Sequence, residues 1–168
     1  MSAAIGTAGD ALAAYLQHEH DVIDDRLGWI EPCGSGEDRT VYRIGNVAYK
    51  IGRRATANPY DHRTQEEARR RGYRWAPAAS SLFTVHDGVW DEDYDVLAMP
   101  YLEGDGSEAD PALMAEMQSQ ARAGDGQGRG RDEIDGTNYV IIAGQPVVID
   151  FCTVRLAPGT TPETEDGR

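Results

Sequence analysis

The chain has 168 residues, with 16 Lys and Arg against 29 Asp and Glu, giving a formal charge of −13. That length is enough for one domain, or two small lobes, with a core that needs no disulfides, and the charge argues against nucleic acid or an anionic membrane as the main partner. Two cysteines far apart, Cys33 and Cys152, make neither a disulfide framework nor a four-ligand zinc site. No apolar run is long enough for a bilayer span and no secretory pattern opens the sequence, so a cytoplasmic protein is expected.

In chain order, residues 8–27 place Leu12, Tyr15, Leu16, Val22, Ile23 and Leu27 at mostly three-to-four spacing, broken only by Glu19. This predicts an amphipathic helix, on which His18 and His20 fall on different faces and share no metal. An extended segment begins at residues 29–31 and is interrupted by PCGSGEDR. TVYRI and VAYKI around Gly45-Asn46 predict a hairpin with a two-residue loop. A polar stretch with Asn58-Pro59 precedes a helix expected from Arg63 to Tyr73.

SSLFTVHDG and YDVLAMPYLEG read as strands. The acidic turn between them, GVWDEDYD, is too compact and badly spaced for a calcium loop. A helix over 111–121 has Asp110 as its N-cap and Pro111 in the first helical position. GDGQGRGRD reads as a structureless Gly-rich loop, YVIIAGQPVVIDF as two short strands around Gly144-Gln145, and the polar tail as disordered. The order predicts an α+β fold with an antiparallel sheet.

Charge is uneven along this order. Ten of the 16 basic residues fall between Arg39 and Arg74, so a cationic surface or pocket could persist in an acidic protein. The plainer account of Arg69, Arg70 and Arg71 is a solvated helix face. Both cysteines are read most simply as small half-buried residues rather than a redox pair.

Three features suggest chemistry. Val147, Val148 and Ile149 drive into a core and deliver Asp150 at its rim, where a carboxylate is costly without a cation, donor or metal. Gly34, Ser35 and Gly36 lie between two strands, where glycines let backbone N–H groups approach an anion. Lys50 leaves an apolar strand between Tyr49 and Ile51, which suits either a route to water or an anionic partner.

Together these residues resemble the protein-kinase family. Gly34-Ser35-Gly36-Glu37-Asp38-Arg39-Thr40-Val41 looks like its glycine-rich loop, with Arg39 in place of the third glycine, and Val47-Ala48-Tyr49-Lys50 is similar to its lysine strand. Glu67, with Glu66 as a rival, matches the helix glutamate that pairs with the lysine. Val96–Leu102 resembles the hinge, with Met99 near the gatekeeper place and Pro100, Tyr101 and Leu102 offering backbone groups to an adenine. Asn138 and Asp150 look like the two metal ligands.

The resemblance implies a protein-kinase-like small lobe with an antiparallel sheet and helix, and a reduced C-terminal lobe carrying a metal-binding hairpin. It divides the chain into an N-terminal helix (1–28), a small lobe and hinge (29–103), a reduced second lobe (104–156) and a tail (157–168). ATP would bind against Gly34, Ser35, Gly36, Val41, Ala48, Lys50, Met99, Tyr101 and Leu102, with Mg2+ on Asn138 and Asp150. The implied activity is phosphoryl transfer to a hydroxyl of a small molecule, of the chain itself or of a docked protein.

Several positions depart from the family pattern. In Arg131–Asn138, Asp132 follows an arginine as the family base does but stands one residue too far from Asn138. Glu133 has the spacing and the wrong identity, and Asp135 is closer still. Asp132 is taken as the base. Cys152 replaces a glycine, and only 18 residues follow Asp150, too few for a peptide platform. The alternative is therefore a pseudokinase-like nucleotide-binding or regulatory module that contacts a protein partner. A third reading is an α+β interaction protein with accidental matches.

Overall fold

The computed structural model describes residues 30–35, 39–52, 57–87, 92–124, 130–131, 134, 136–152 and 154–157. The helix expected over 8–27 and the tail beyond residue 157 lie outside them. The chain is α+β. Five antiparallel strands pair in the order β1-β2-β3-β5-β4: β1 (Ile30–Ser35), β2 (Arg39–Ile44), β3 (Val47–Gly52), β4 (Ser81–Asp87) and β5 (Glu92–Pro100). Helix α1 (Ala57–Arg70) connects β3 to β4, and α2 (Pro111–Gln120) follows β5.

The β2–β3 hairpin turns at Gly45 and Asn46, as expected, with Gly45 at φ +59°. A side chain is disfavoured in that left-handed region, and glycine has none. β1 does not stop at the glycines. It carries a register shift between Pro32 and Gly34, then pairs Gly34 with Val41 and Ser35 with Thr40.

Register sorts the sheet into two faces, because side chains alternate along each strand. Arg39, Val41, Ala48, Lys50, Leu97 and Met99 share one face. The other carries Ile44, Tyr49, Ile51, Val85, Tyr94, Val96 and Ala98, a buried apolar cluster flanked by Tyr42, Val47 and Phe83.

Helix α1 begins six residues before the expected Arg63 and ends three residues before Tyr73. Pro59 is expected in the polar stretch before the helix. It lies in the first turn instead, where its missing N–H would have had no helical partner anyway. The helix closes on a Schellman arrangement: Tyr73 N–H donates to Ala68 O, Gly72 N–H donates to Arg69 O, and Gly72 sits at φ +74°. α2 has the expected cap, with Asp110 Oδ1 accepting from Ala112 N–H at 2.8 Å and Pro111 opening the helix.

The C-terminal half adds two small sheets. β8 (Tyr139–Ile142) and β9 (Gln145–Val148) form a hairpin whose turn is Ala143-Gly144, one residue earlier than expected. Both turn residues have positive φ, +50° and +77°, the combination that suits a two-residue hairpin loop. Asp105 fastens the segment after β5 to this turn by accepting from Ala143 N–H.

Of the expected structureless Gly-rich loop, Gly124, Gly130 and Arg131 lie in strands, and residues 125–129 and 132 lie outside the described residues. β6 (Ala121–Gly124) pairs with β7 (Gly130–Arg131) and with β10 (Val154–Leu156). Strands this short carry no periodic signal of their own; pairing partners remote in sequence define them. A second core of Trp75, Met117, Val148, Phe151 and Val154 lies beneath, with the Trp75 and Phe151 rings stacked at 6.1 Å.

Candidate functional site

The site is built where the polar face of α1 meets the Lys50 face of the sheet. Asn58, Asp61, Gln65 and Ala68 are the buried residues of α1, and their spacing of three, four and three defines one stripe. Asn58 fixes the helix by donating to Lys50 O at 2.9 Å and to Asp95 O at 2.6 Å. Asp61, fully buried, is thereby brought to the lysine.

Lys50 is 5% exposed. Its ammonium donates to Ile149 O at 2.6 Å and to Asp61 Oδ2 at 3.2 Å, and stands 3.7 Å from Asp150 Oδ1. Arg39 reaches in from the start of β2. Its Nη1 donates to Asp61 Oδ2 at 2.5 Å and to Asn58 Oδ1 at 3.2 Å, and its Nη2 donates to Asp150 Oδ1 at 2.7 Å. Two cations and two carboxylates, brought from β2, β3, α1 and the end of β9, close on one another.

The electrostatics follow from that closure. Burial works to raise the Asp150 carboxyl, but Lys50 and Arg39 outweigh it and hold the group down at about 2. Burial opposes the charge of Arg39, and the facing Asp61 and Asp150 more than compensate, lifting it above its ordinary range. Asp61 moves upward because burial exceeds what Lys50 and Arg39 return. Its Oδ1 is buried with no hydrogen-bond partner among the described residues. The Cys152 thiol is pushed up to about 12 by burial and by Asp150, which leaves it a poor nucleophile.

Lys50 and Asp150, far apart in sequence, are thus neighbours. Glu67 is not their partner: it accepts from Arg70 and Arg71 on the outer side of α1, beside Tyr60, Arg63 and Leu156. Glu66 pairs with Arg69. The carboxylate facing Lys50 is Asp61, because the inward stripe of α1 contains position 61 and excludes 66 and 67.

Val41 lies opposite Lys50, and Ala48 opposite Met99, both of the latter buried. Tyr101 N–H donates to Asn46 O at 2.9 Å, so it has a partner within the chain, and its ring lies under Arg43 at 4.2 Å. Leu102 is half-buried beside it. Gly36, Asp132, Glu133 and Asp135 lie outside the described residues, so the loop base has no described position. Cys33 is exposed.

Asn138 adjoins Asp150 through its backbone, its carbonyl accepting from Ile149 and Asp150 N–H. Its side-chain oxygen accepts from Thr137 Oγ1 at 3.4 Å. Magnesium asks for near-octahedral oxygen ligation. Here Asp150 Oδ1 already accepts from Arg39 and from Cys152 N–H at 3.1 Å. The described residues contain no cluster of three or more His, Cys, Asp or Glu able to hold a metal. In this arrangement Arg39 holds an Asp150 oxygen that an ion there would need.

Compared with models of known families, with curated proteins and with solved structures, the chain finds no match. Its chemistry must be argued from its own residues. Arg39 and Asp61 are the two site residues that sequence reasoning missed. The signal for Asp61 was the polar stripe 58-61-65, which becomes visible once the helix is begun at Ala57. For Arg39 the signal was a cation in a place where the resemblance expects glycine. Among the described residues, no helix is long and apolar enough to cross a membrane.

Proposed function

We propose that the chain is a pseudokinase-like module that acts by binding a protein partner rather than by transferring phosphate. The observation that carries this reading is the closed charge set around Lys50. Its ammonium donates to Ile149 O and Asp61 Oδ2, with Asp150 Oδ1 in ion-pair range at 3.7 Å, while Arg39 bridges the same two carboxylates. Two cations and two carboxylates so paired leave little net charge to draw a nucleotide phosphate until the set opens. The internal partner of Tyr101 N–H supports the same reading from the adenine side.

A thermal-shift titration with ATP and Mg2+ tests it. The expected result is no magnesium-dependent rise in the midpoint and no phosphate release above background. A rise together with turnover that disappears in Lys50→Ala would overturn the reading.

One observation favours the second reading, a minimal ATP–Mg2+ phosphotransferase. Lys50 Nζ and Asp150 Oδ1 stand 3.7 Å apart, the juxtaposition that phosphoryl transfer of this type uses to bracket a nucleotide. In that case Arg39 would leave Asp150 when nucleotide enters, and Asn138 and Asp150 would take the metal. Turnover in the titration above decides between the two.

A further inference from the structure

The outer side of α1 carries a surplus of positive charge in a chain whose formal charge is −13. Arg63, Arg69, Arg70 and Arg71 stand there against Glu66 and Glu67. Glu66 takes Arg69, and Glu67 takes both Arg70 and Arg71. Arg63 is left over. Its exposed side chain donates through Nε to Pro59 O at 3.3 Å and meets no carboxylate among the described residues.

An open groove of about 250 Å³ lies beside these residues. Tyr60 and Leu156 give it an apolar lining, and Arg63, Thr64, Glu67 and Arg71 a polar one. Arg63 and Arg71 are eight positions apart on α1, about 12 Å along the helix axis. That separation suits an extended segment carrying acids a few residues apart, rather than one small anion.

The chain itself is led to this groove. Tyr60 Oη donates to Val154 O at 2.8 Å and Arg71 Nη1 donates to Ala157 O at 2.7 Å, so β10 runs beside α1 in the same direction and delivers Ala157 to Arg71. Pro158-Gly159 comes next, a pair that suits the two central positions of a reversing turn. Glu163, Glu165 and Asp166 follow, with no Lys or Arg between Pro158 and Asp166. The six residues from Ala157 to Glu163 reach at most about 20 Å, more than the distance back along α1 to Arg63.

We propose that residues 160–166 fold back along this groove as an intramolecular strap, with Glu163, Glu165 and Asp166 supplying the carboxylates that the arginine row lacks. Exposed ion pairs are weak singly. A segment tethered a few residues away presents its acids at a millimolar effective concentration, which makes weak pairs sufficient. The strap is independent of the Lys50 site and stands whether or not that site binds nucleotide.

The test is backbone-amide NMR on the full-length protein at low ionic strength. Neutralising the acids in the triple variant Glu163→Gln, Glu165→Gln, Asp166→Asn should shift the signals of Tyr60, Thr64 and Leu156. About 0.5 M NaCl should produce the same shifts in the wild-type protein, because screening releases exposed pairs. Arg63→Gln should in turn shift the signals of residues 163–166.

The proposal is overturned if the triple variant leaves the groove signals in place, or if Arg63→Gln leaves those of 163–166 in place. Wild-type groove signals that move with protein concentration would overturn it by assigning the groove to the acids of a second copy. An equimolar hexaglutamate peptide that shifts the wild-type groove signals would also overturn it, by showing the groove open to an acidic partner.

Discussion

The two sides of α1 carry charge in opposite ways. On the outer side Glu66 pairs with Arg69, and Glu67 pairs with Arg70 and Arg71, all within one helical turn. On the inner side Asp61 meets Lys50 from β3 and Arg39 from β2. The outer pairs are local and wet; the inner ones are remote and dry. Exposed pairs at this spacing contribute little, because water screens them and two long side chains must be held still. Buried ones lower the energy only as a set, since removing one member strands the charge of another.

That contrast can be broken most severely at Asp61. Asp61→Ala leaves Arg39 and Lys50 to share the single carboxylate of Asp150, and should cost about 3–5 kcal/mol. Against a total stability of about 5–15 kcal/mol, a urea melt should show a large fall in midpoint with the slope retained. A midpoint near wild type would mean that the inner set is no more valuable than the outer one.

Asp150 sharpens the comparison through pH. Its carboxyl is held near 2 in the folded state, below the ordinary value of about 3.9 in an unfolded chain. The unfolded state binds the proton more readily, so stability rises with pH across this range. The contribution, about 2 kcal/mol by that linkage, is complete above about pH 4 and lost as pH falls through about 2. The stability difference between wild type and Asp150→Asn should therefore narrow on acidification through that window. A constant difference would detach Asp150 from the cations.

Gly72 tests how the outer side ends. Gly72→Ala places a Cβ at φ +74° in otherwise open space, so the cost is backbone strain alone, about 1 kcal/mol. A measured loss several times larger would mean that the cap also positions the inner stripe.

The smallest effect is expected at Glu67. Its carboxyl is lowered to about 2 by hydrogen bonds from Arg70 and Arg71, yet it lies half-buried on the outer surface of α1. Glu67→Gln should leave the melting midpoint close to wild type and insensitive to added salt. A drop comparable with Asp61→Ala would return Glu67 to the role its sequence position suggested.

Much of the frame was legible from residues. The β2–β3 hairpin followed from alternation around Gly45-Asn46, α2 from Asp110-Pro111, and the closing hairpin from YVII and QPVV. Lys50 and Asp150 were marked out because each interrupts or ends an apolar strand. Asp61 was hidden by Pro59, which looked like the end of a polar stretch and lies instead within the first turn of α1. β6, β7 and β10 were hidden because segments of two to four residues have no period to detect.

Sequence alone determined the two hairpins and α2, and that a lysine and an aspartate would stand at the ends or in the midst of apolar runs. Those outcomes rest on alternation, capping and turn chemistry, which act over a few residues. The tertiary structure decided which carboxylate reaches Lys50 and that Arg39 closes on Asp150. The rotation of α1 against the sheet and the strand register bring charges 22 and 111 positions apart from Arg39 into contact, and no local pattern encodes a distance of that kind.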